Sequence, residues 1–206
     1  MTQPDFPNPV DHPVIDAIRA RWSPYRYAAR TVEDDKLIRC LEAARWAASS
    51  FNDQPWSWIV AKREDTAAFA TALGCLVEAN QAWAQDAGVL ILTCIRTDFA
   101  KTGKPNRVAL HDLGIAACQL SLQAATLGLQ VHQMAGVDLD AVRRRYELPT
   151  GVEPQTAIAI GYANEEPPRG DFQIELEQRQ NGPRTRKSLS DQVFAGKFGS
   201  TAGFVA

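Results

Sequence analysis

The sequence predicts an α+β or α/β sandwich around a small sheet. Runs of β-branched residues typical of strands alternate with stretches in which apolar residues recur at helical spacing. One of these stretches, residues 106–127, is longer than the others and supplies a central helix. The chain has 206 residues, of which 45% are hydrophobic and 22% charged, so it is long enough to form a single domain with a buried core.

Two helices are expected before the first strand. Asp11 can cap the first helix, with Pro13 in its opening turn, and Pro24 ends it. Its apolar residues should form one buried face, which consists of Val14, Ile15, Ile18 and Trp22. Asp34 or Asp35 can cap the second helix. The buried face of that helix consists of Leu37, Leu41, Ala44 and Ala48.

Four segments are predicted to be strands: residues 56–62, 89–95, 129–134 and 155–162. The second is a continuous run of β-branched and apolar residues, which is typical of a strand covered on both faces. It is also the longest apolar stretch of the chain, and it is far shorter than the roughly 20 residues of a membrane-spanning helix. We therefore expect no membrane segment.

Three further helices lie between or after these strands. An alanine-rich helical stretch begins at Asp65 and extends to about Gln85, and Gly74 could divide it into two helices. The long helix of residues 106–127 is expected to end at Gly128 as its C-cap. Asp138 caps a helix through Tyr146, whose inward residues are Leu139, Val142 and Tyr146.

Both ends of the chain are polar. Residues 1–9 are rich in proline and predict a loose arm. Residues 164–206 contain three prolines and no clear core pattern, so this segment is either disordered or wrapped on a partner surface. In the second case its anchors would be Leu189, Val193 and Phe194.

Charge and cysteine usage exclude several classes of protein. The net charge of −2 does not suit a protein that coats nucleic acid, and the N-terminus lacks the basic and apolar regions of a secretory signal, so we expect a cytoplasmic protein. Four widely spaced cysteines favour reduced, buried thiols over a disulfide framework or a zinc site. They are Cys40, Cys75, Cys94 and Cys118.

Hydrolase and phosphate-loop motifs are absent from the sequence, and the three histidines are far apart. His132 could face a site or be a satisfied structural histidine. Three polar groups remain as candidates. Asn52 and Gln54 would point to the same side of an extended loop and suit the edge of a planar heterocycle, although Asn52 could instead cap a turn.

The other two candidates are basic. Arg21 and Ser23 could hold a phosphate at a helix end, because a guanidinium binds phosphate bidentately, or Arg21 could be a solvated surface residue. The basic run of residues 184–187 could add phosphate charge or be an exposed turn.

In combination, these segments resemble the FMN-dependent nitroreductase family. The resemblance rests on the order of five blocks and covers roughly residues 13–187. The blocks are R-x-S at Arg21-Trp22-Ser23, S-S-x-N-x-Q-P-W at residues 49–56, Asn80, G-L-x-x-x-x-M-x-G at residues 128–136, and the basic segment at residues 184–187.

The resemblance implies a three-layer α/β/α sandwich of the α+β class, built on a mostly antiparallel sheet. It further implies a homodimer that pairs through the long helix, with FMN in two equivalent clefts at the interface. Residues 164–206 would form an arm around the partner.

The resemblance also assigns residues to parts of the cofactor. The phosphate would be held by Arg21, Ser23, Arg184 and Arg186, with Lys187 adjacent, and the ribityl chain and pyrimidine edge by Asn52, Gln54 and Asn80. Ala135 and Gly136 would present backbone N–H groups to flavin N5 and O4. The remaining members of the expected site are Trp22, Tyr25, Ser50 and Met134.

The implied activity is hydride transfer from NADH or NADPH through flavin N5 to a nitroaromatic, quinone or similar conjugated acceptor, by a ping-pong mechanism. No protein side chain need act as a nucleophile. The acceptor would be selected by loops over the flavin, around residues 99–106.

Three positions depart from the family pattern. Tyr25 stands where family members carry Arg or Lys, Ala48 replaces a proline, and Trp83 lies where some members have a lysine. Arg26 could compensate for Tyr25 if the loop shifted by one residue. The departures leave open a flavin-binding protein without efficient turnover, acting as a carrier or sensor. A relative that carries out dehalogenation or flavin breakdown is a further alternative.

Overall fold

The computed structural model describes residues 7–205 and contains one sheet of four strands. The strands are β1 (Trp56–Lys62), β2 (Val89–Arg96), β3 (Gln130–Met134) and β4 (Val152–Gly161). All three pairings are antiparallel, and the order across the sheet is β1-β2-β4-β3. The predicted strands are confirmed, although β4 begins three residues before the expected Gln155.

The helices cover both faces of the sheet. They are α1 (Asp16–Ala20), α2 (Asp34–Arg45), α3 (Thr66–Leu73), α4 (Glu78–Ala84), α5 (Ala109–Thr126), α6 (Leu139–Arg145) and α7 (Gly170–Gln180). Helices α2 and α5 share one core with the sheet, whereas α3, α4 and α6 pack into the core on the other face. This is the α/β/α sandwich that the sequence led us to expect.

The central strand β2 explains why the core is continuous across both layers. Its residues from Val89 to Ile95 are buried, and successive side chains point alternately to the two faces. Val89 and Ile91 pack against α2 and α5, while Leu90 and Leu92 pack under α3, α4 and α6.

Local signals fixed several helix ends. Asp65 and Asp138 accept hydrogen bonds from Ala68 N and Ala141 N at 3.0 and 2.9 Å, which caps α3 and α6. Gly128 follows α5 with a φ of 73°, the left-handed conformation that glycine adopts readily after a helix. The break near Gly74 is confirmed, because α3 and α4 are separate helices.

The prediction for the first helix is wrong in extent and burial. Helix α1 begins at Asp16, follows Ile15 as its N-cap and has no buried residue, so Asp11 does not cap it. Five residues make little more than one turn and cannot bury four apolar side chains on one face. In the single chain Val14, Ile15 and Ile18 are exposed.

Three smaller expectations also fail. The N-cap of α2 is Glu33, and both Asp34 and Asp35 lie in the first turn, where they still interact favourably with the helix dipole. Leu139 is exposed because it begins α6, and Ala141 is buried in its place. Cys118 is exposed, whereas Cys40, Cys75 and Cys94 are buried free thiols.

The C-terminal segment is more structured than its composition indicates. It contains α7, whose Leu176 is buried in the core on the side of α3 and α4, and a short 3-10 turn at Leu189–Asp191. Of the expected anchors, Leu189 is exposed and Val193 and Phe194 are half-buried. Of the predicted loose N-terminal arm, residues 1–6 lie outside the described residues, and Asn8 donates to Ile18 O and Arg21 O.

Candidate functional site

A cluster of three arginines lies at one end of a surface cleft of about 360 Å³. Arg21 follows α1 directly and donates to Ser23 Oγ at 3.4 Å. Arg184 lies 5.1 Å above the Trp22 ring and donates to Asn8 Oδ1. The cleft therefore brings residues 21–23 together with Arg184 and Arg186, which come more than 150 positions later in the chain.

The electrostatics of this cluster indicate an anion site. Burial and the charge of Arg186 lower the pKa of Arg21, while burial followed by the charges of Arg21 and Arg186 lowers that of Arg184. None of these three guanidinium groups forms a salt bridge with a carboxylate among residues 7–205. A bound phosphate would relieve this repulsion and accept several charge-assisted hydrogen bonds. Lys187 does not line the cleft.

A second cleft, of about 350 Å³, lies between the start of α4 and the end of β3. It is lined by Asn80 from α4 and by Met134, Ala135 and Gly136 from the end of β3, all four of which belong to the predicted site. Asn80 Nδ2 donates to Gly136 O at 3.1 Å, and Val77 N donates to the same oxygen at 3.1 Å. The two elements are thus joined at the site itself.

Gly136 is required here for its lack of a side chain. A Cβ at this position would lie 2.5 Å from Asn80 Nδ2 and 2.7 Å from Val77 Cγ2. The bond to Gly136 uses one N–H of the Asn80 amide and leaves its second N–H and its carbonyl oxygen for a ligand. This arrangement suits a planar ring with both donors and acceptors on its edge.

Tyr25 and Arg179 line both clefts and connect them. Arg179 donates from Nη2 to the Tyr25 hydroxyl at 3.2 Å, and its guanidinium carbon lies 4.3 Å from the centroid of the Tyr25 ring. The two clefts therefore form a path with cations at one end, a hydrogen-bonding edge at the other and an aromatic ring between them. The sequence did not single out Arg179 or Val77.

Trp83 and His132 form an aromatic wall of the second cleft. Their ring centroids are 4.5 Å apart, and each also contacts Tyr25 edge to face. His132 Nδ1 lies 2.8 Å from Pro24 O, and since a carbonyl only accepts, this nitrogen carries the proton. Burial lowers the pKa of His132, and the charges of Arg179 and Arg21 lower it further against the opposing bond to Pro24. His132 is thus a satisfied neutral histidine that also faces the cleft.

Ser50, Asn52 and Gln54 do not join the other predicted residues within one chain. None of them lines either cleft, because their loop follows α2 and contacts α5 through a bond from Ser50 N to Asp112 Oδ2. Gln54 Nε2 donates to Asn52 Oδ1 at 3.2 Å, so the two amides do lie on one side. However, the loop that places them on one side is not extended as we expected.

The loop adopts left-handed backbone angles rather than an extended form. The φ angles of Phe51, Asn52 and Gln54 are 54°, 54° and 48°. Such angles are costly for residues other than glycine and persist where the surroundings impose them. Here Asp53 does so by accepting from Arg96 Nη2 and Ala100 N, both at 2.9 Å. The exposed Phe51 ring also contacts Phe99, in the loop expected to select the acceptor.

Arg26 does not compensate for the missing cation at Tyr25. Its guanidinium is buried, pairs with Glu177 of α7 at 2.9 Å and donates to Glu166 O at 2.6 Å. Since both contacts attach the C-terminal segment to the domain, Arg26 is a structural residue.

Comparison with known proteins identifies the family of this chain. Residues 18–162, more than two thirds of the chain, match the model of the family described as "Nitroreductase family". The chain belongs to the nitroreductase family. Membership of this family makes the chain an oxidoreductase. The family match ends before α7 and the basic segment of residues 184–187.

Solved structures extend the likeness to the C-terminal segment. An oxidoreductase described as containing FMN is 29% identical, with a TM-score of 0.85, and the match covers 98% of this chain and all of that one. A nitroreductase family protein from Clostridium difficile is 26% identical, with a TM-score of 0.67, and the match covers 90% and 99% of the two chains.

A relative from the archaeon Methanothermobacter thermautotrophicus carries the name "Putative NADH dehydrogenase/NAD(P)H nitroreductase". It is 28% identical over 165 residues, which cover 77% of this chain and 82% of the relative. Within residues 7–205, no helix is both long and apolar enough to cross a bilayer.

Proposed function

We propose that the protein is an FMN-dependent oxidoreductase that uses NADH or NADPH to reduce a nitroaromatic, quinone or similar conjugated acceptor. The observation that carries the proposal is the pair of connected clefts, with three arginines at one end and the Asn80–Gly136 pair at the other. This polarity matches a molecule with a phosphate at one end and a hydrogen-bonding tricyclic ring at the other.

Each end of the clefts fits a different part of FMN. Arg21, Arg184 and Arg186 would hold the phosphate, because their charges are close together and unpaired with carboxylates. Asn80 would bond the pyrimidine edge with its remaining amide groups, and Ala135 and Gly136, which line the same cleft, would present their backbone N–H groups to the ring. A solved relative described as an oxidoreductase containing FMN supports FMN as the cofactor.

A second copy of the chain would complete the site. Ser50, Asn52 and Gln54 lie on a fixed loop away from both clefts, so their predicted role requires that the loop of one subunit approach the clefts of another. Helix α5 offers a surface for this dimer. Leu110, Gly114 and Cys118 form an exposed stripe along it, and a Cβ at Gly114 would meet nothing within 4 Å. Small residues of this kind let two helices approach closely.

The chemistry that FMN would supply when bound is hydride transfer between the nicotinamide and the acceptor. The residues of the chain would bind and orient the reactants. Trp83 and His132 form a wall that excludes water on one side, and His132 stays neutral there because burial lowers its pKa. Phe51 and Phe99, in contact at 5.6 Å between centroids, would shape the space for the acceptor.

A second candidate is a flavin-binding protein without efficient turnover. It is favoured by Tyr25 and Trp83 at positions where cations are expected and by the engagement of Arg26 with Glu177. The two functions differ in one readout, because only the oxidoreductase bleaches its flavin with a nicotinamide.

The experiment is to purify the protein, record its visible spectrum after adding FMN and mix it with NADH or NADPH without oxygen. The proposal predicts a bound yellow flavin that at least one nucleotide bleaches rapidly. Bound flavin that neither nucleotide bleaches would favour the carrier or sensor, and a protein that retains no FMN would contradict both. Product analysis with nitro and halogenated substrates then separates nitro reduction from dehalogenation.

A further inference from the structure

Arg179 occupies the junction of the two clefts and belongs to none of the blocks that define the family resemblance. We propose that Arg179, held over Tyr25, is a binding residue for FMN and stabilises the negative charge that reduction adds to the ring. The inference rests on the proposed function, since it assumes that the connected clefts hold FMN. Three independent features of the structure carry it.

The first feature is the position of the guanidinium. Arg179 lines both the arginine-rich cleft and the cleft of Asn80 and Gly136. It donates one of its five N–H groups to the Tyr25 hydroxyl and forms no salt bridge among residues 7–205. A ligand that extends from one cleft to the other would pass this guanidinium and find its other donors available.

The second feature is the anchoring of the helix that carries it. Gln180 Oε1 accepts hydrogen bonds from Tyr25 N and Arg26 N, both at 3.1 Å. One turn earlier, Glu177 pairs with the buried Arg26, and Leu176 is buried in the core. The backbone of Arg179 is therefore fixed by its neighbours in the helix, and its exposed side chain is held by the hydrogen bond and ring contact with Tyr25.

The third feature is electrostatic. The charge of Arg179 contributes to the lowered pKa of His132, a group in the wall of the second cleft. The guanidinium thus raises the potential where the ring would lie. The cation–π contact with Tyr25, at 4.3 Å, holds the charge there without neutralising it.

These features predict two measurable effects. Hydride transfer brings two electrons and one proton to the flavin, so reduction leaves one additional negative charge, which a nearby cation stabilises. Loss of one charge-assisted hydrogen bond should weaken FMN binding by about tenfold. A tenfold weaker preference for the reduced form would lower the two-electron potential by about 30 mV.

The test compares Arg179→Gln with Arg179→Lys and with a matched control, Arg169→Gln. Arg169 precedes the same helix, is exposed, lies near Glu166 at 3.7 Å and lines neither cleft. The dissociation constant is measured by quenching of FMN fluorescence on the apoprotein, and the potential by equilibration with a reference dye. Circular dichroism and thermal unfolding check that each variant is folded.

The proposal predicts about tenfold weaker binding and a lower potential for Arg179→Gln, recovery of the potential in Arg179→Lys, and wild-type values for Arg169→Gln. If the wild type binds FMN and Arg179→Gln matches it in both measurements, the role of Arg179 is refuted while the proposed function stands. If the wild type itself does not bind FMN, the proposed function fails and this inference fails with it.

Discussion

The close contact between Gly136 and Asn80 allows a quantitative prediction for Gly136→Ala. The added Cβ would lie 2.5 Å from Asn80 Nδ2 and 2.7 Å from Val77 Cγ2, well inside van der Waals contact. The Asn80 amide cannot yield without cost, because its Nδ2 donates to Gly136 O at 3.1 Å, whereas the exposed Val77 side chain can rotate away. Relief of the overlap must therefore lengthen or break the hydrogen bond from Asn80.

The magnitude follows from these contacts. One hydrogen bond contributes about 1 kcal/mol and overpacking adds about 1 kcal/mol or more, so the free energy of unfolding should fall by roughly 2 kcal/mol. For a domain of this size that corresponds to a drop of roughly 4–8 °C in Tm. Displacement of the Asn80 amide from a ligand edge should also weaken FMN binding by about tenfold or more.

Urea unfolding of the apoprotein measures the first effect, and FMN titration of the folded protein measures the second. Gly203→Ala is the matched control, because a Cβ there would meet nothing within 4 Å. If Gly136→Ala unfolds at the same urea concentration as Gly203→Ala and binds FMN equally well, the close approach of Gly136 to Asn80 contributes neither to stability nor to FMN binding.

Three further predictions concern other parts of the site. Asn52→Ala should weaken FMN binding by about tenfold, since it removes an amide that we propose to face the cofactor from the partner subunit, and FMN titration measures this. Glu177→Gln should lower the free energy of unfolding by about 1–2 kcal/mol, because it removes the charged partner of a buried guanidinium while Glu177 itself is partly solvated. His132→Phe should flatten the loss of stability between pH 7 and pH 5, measured by urea unfolding at each pH. The pKa of His132 is lower in the folded than in the unfolded state, so the unfolded chain binds more protons below about pH 6.5. The stability of the wild type therefore decreases as the pH is lowered through this range.

Each of these predictions has a control or an outcome that contradicts it. Gln178→Ala, at an exposed position of α7 that lines neither cleft, should leave FMN binding unchanged, and equal affinities of the Asn52 and Gln178 variants would remove Asn52 from the site. Glu166→Gln should cost far less stability than Glu177→Gln, because the Glu166 side chain is exposed. Parallel pH curves for the wild type and His132→Phe would show that His132 does not carry the acid sensitivity.

Local sequence signals were sufficient for most of the fold. The β-branched run of β2, the capping residues Asp65 and Asp138 and the glycine after α5 act within a few residues of themselves, and the structure confirms all of them. The order of the family blocks likewise predicted that Arg21 and Arg184 would meet, 163 positions apart in the sequence.

Long-range polar contacts were not predictable in this way. Helix α7 has a polar sequence with little apolar periodicity, and it is held by Gln180 on Tyr25 and Glu177 on Arg26, pairs more than 150 positions apart. No local signal indicates such a pairing, so both the helix and the position of Arg179 were missed. For the same reason the sequence left open that Arg26 replaces the missing cation at Tyr25, whereas Arg26 is buried against Glu177.

The prediction that α1 has a buried face was wrong for a different reason. Apolar spacing shows which residues could form a face, but not whether the single chain supplies a surface to cover it. Val14, Ile15 and Ile18 are exposed here, and α1 lies beside α5, whose outward stripe we propose as the dimer surface.

Subunit mixing tests the central claim, that FMN is bound between residues of two chains. One chain carries Arg184→Gln and Arg186→Gln, the other carries Asn52→Ala and Gln54→Ala, and each variant alone should bind FMN weakly. Co-expression in equal amounts should produce mixed dimers in which one of two sites has no substitution, so about one site in four recovers wild-type affinity. Recovery of that fraction is the predicted result, and mixed dimers that bind no better than either parent would contradict a shared site.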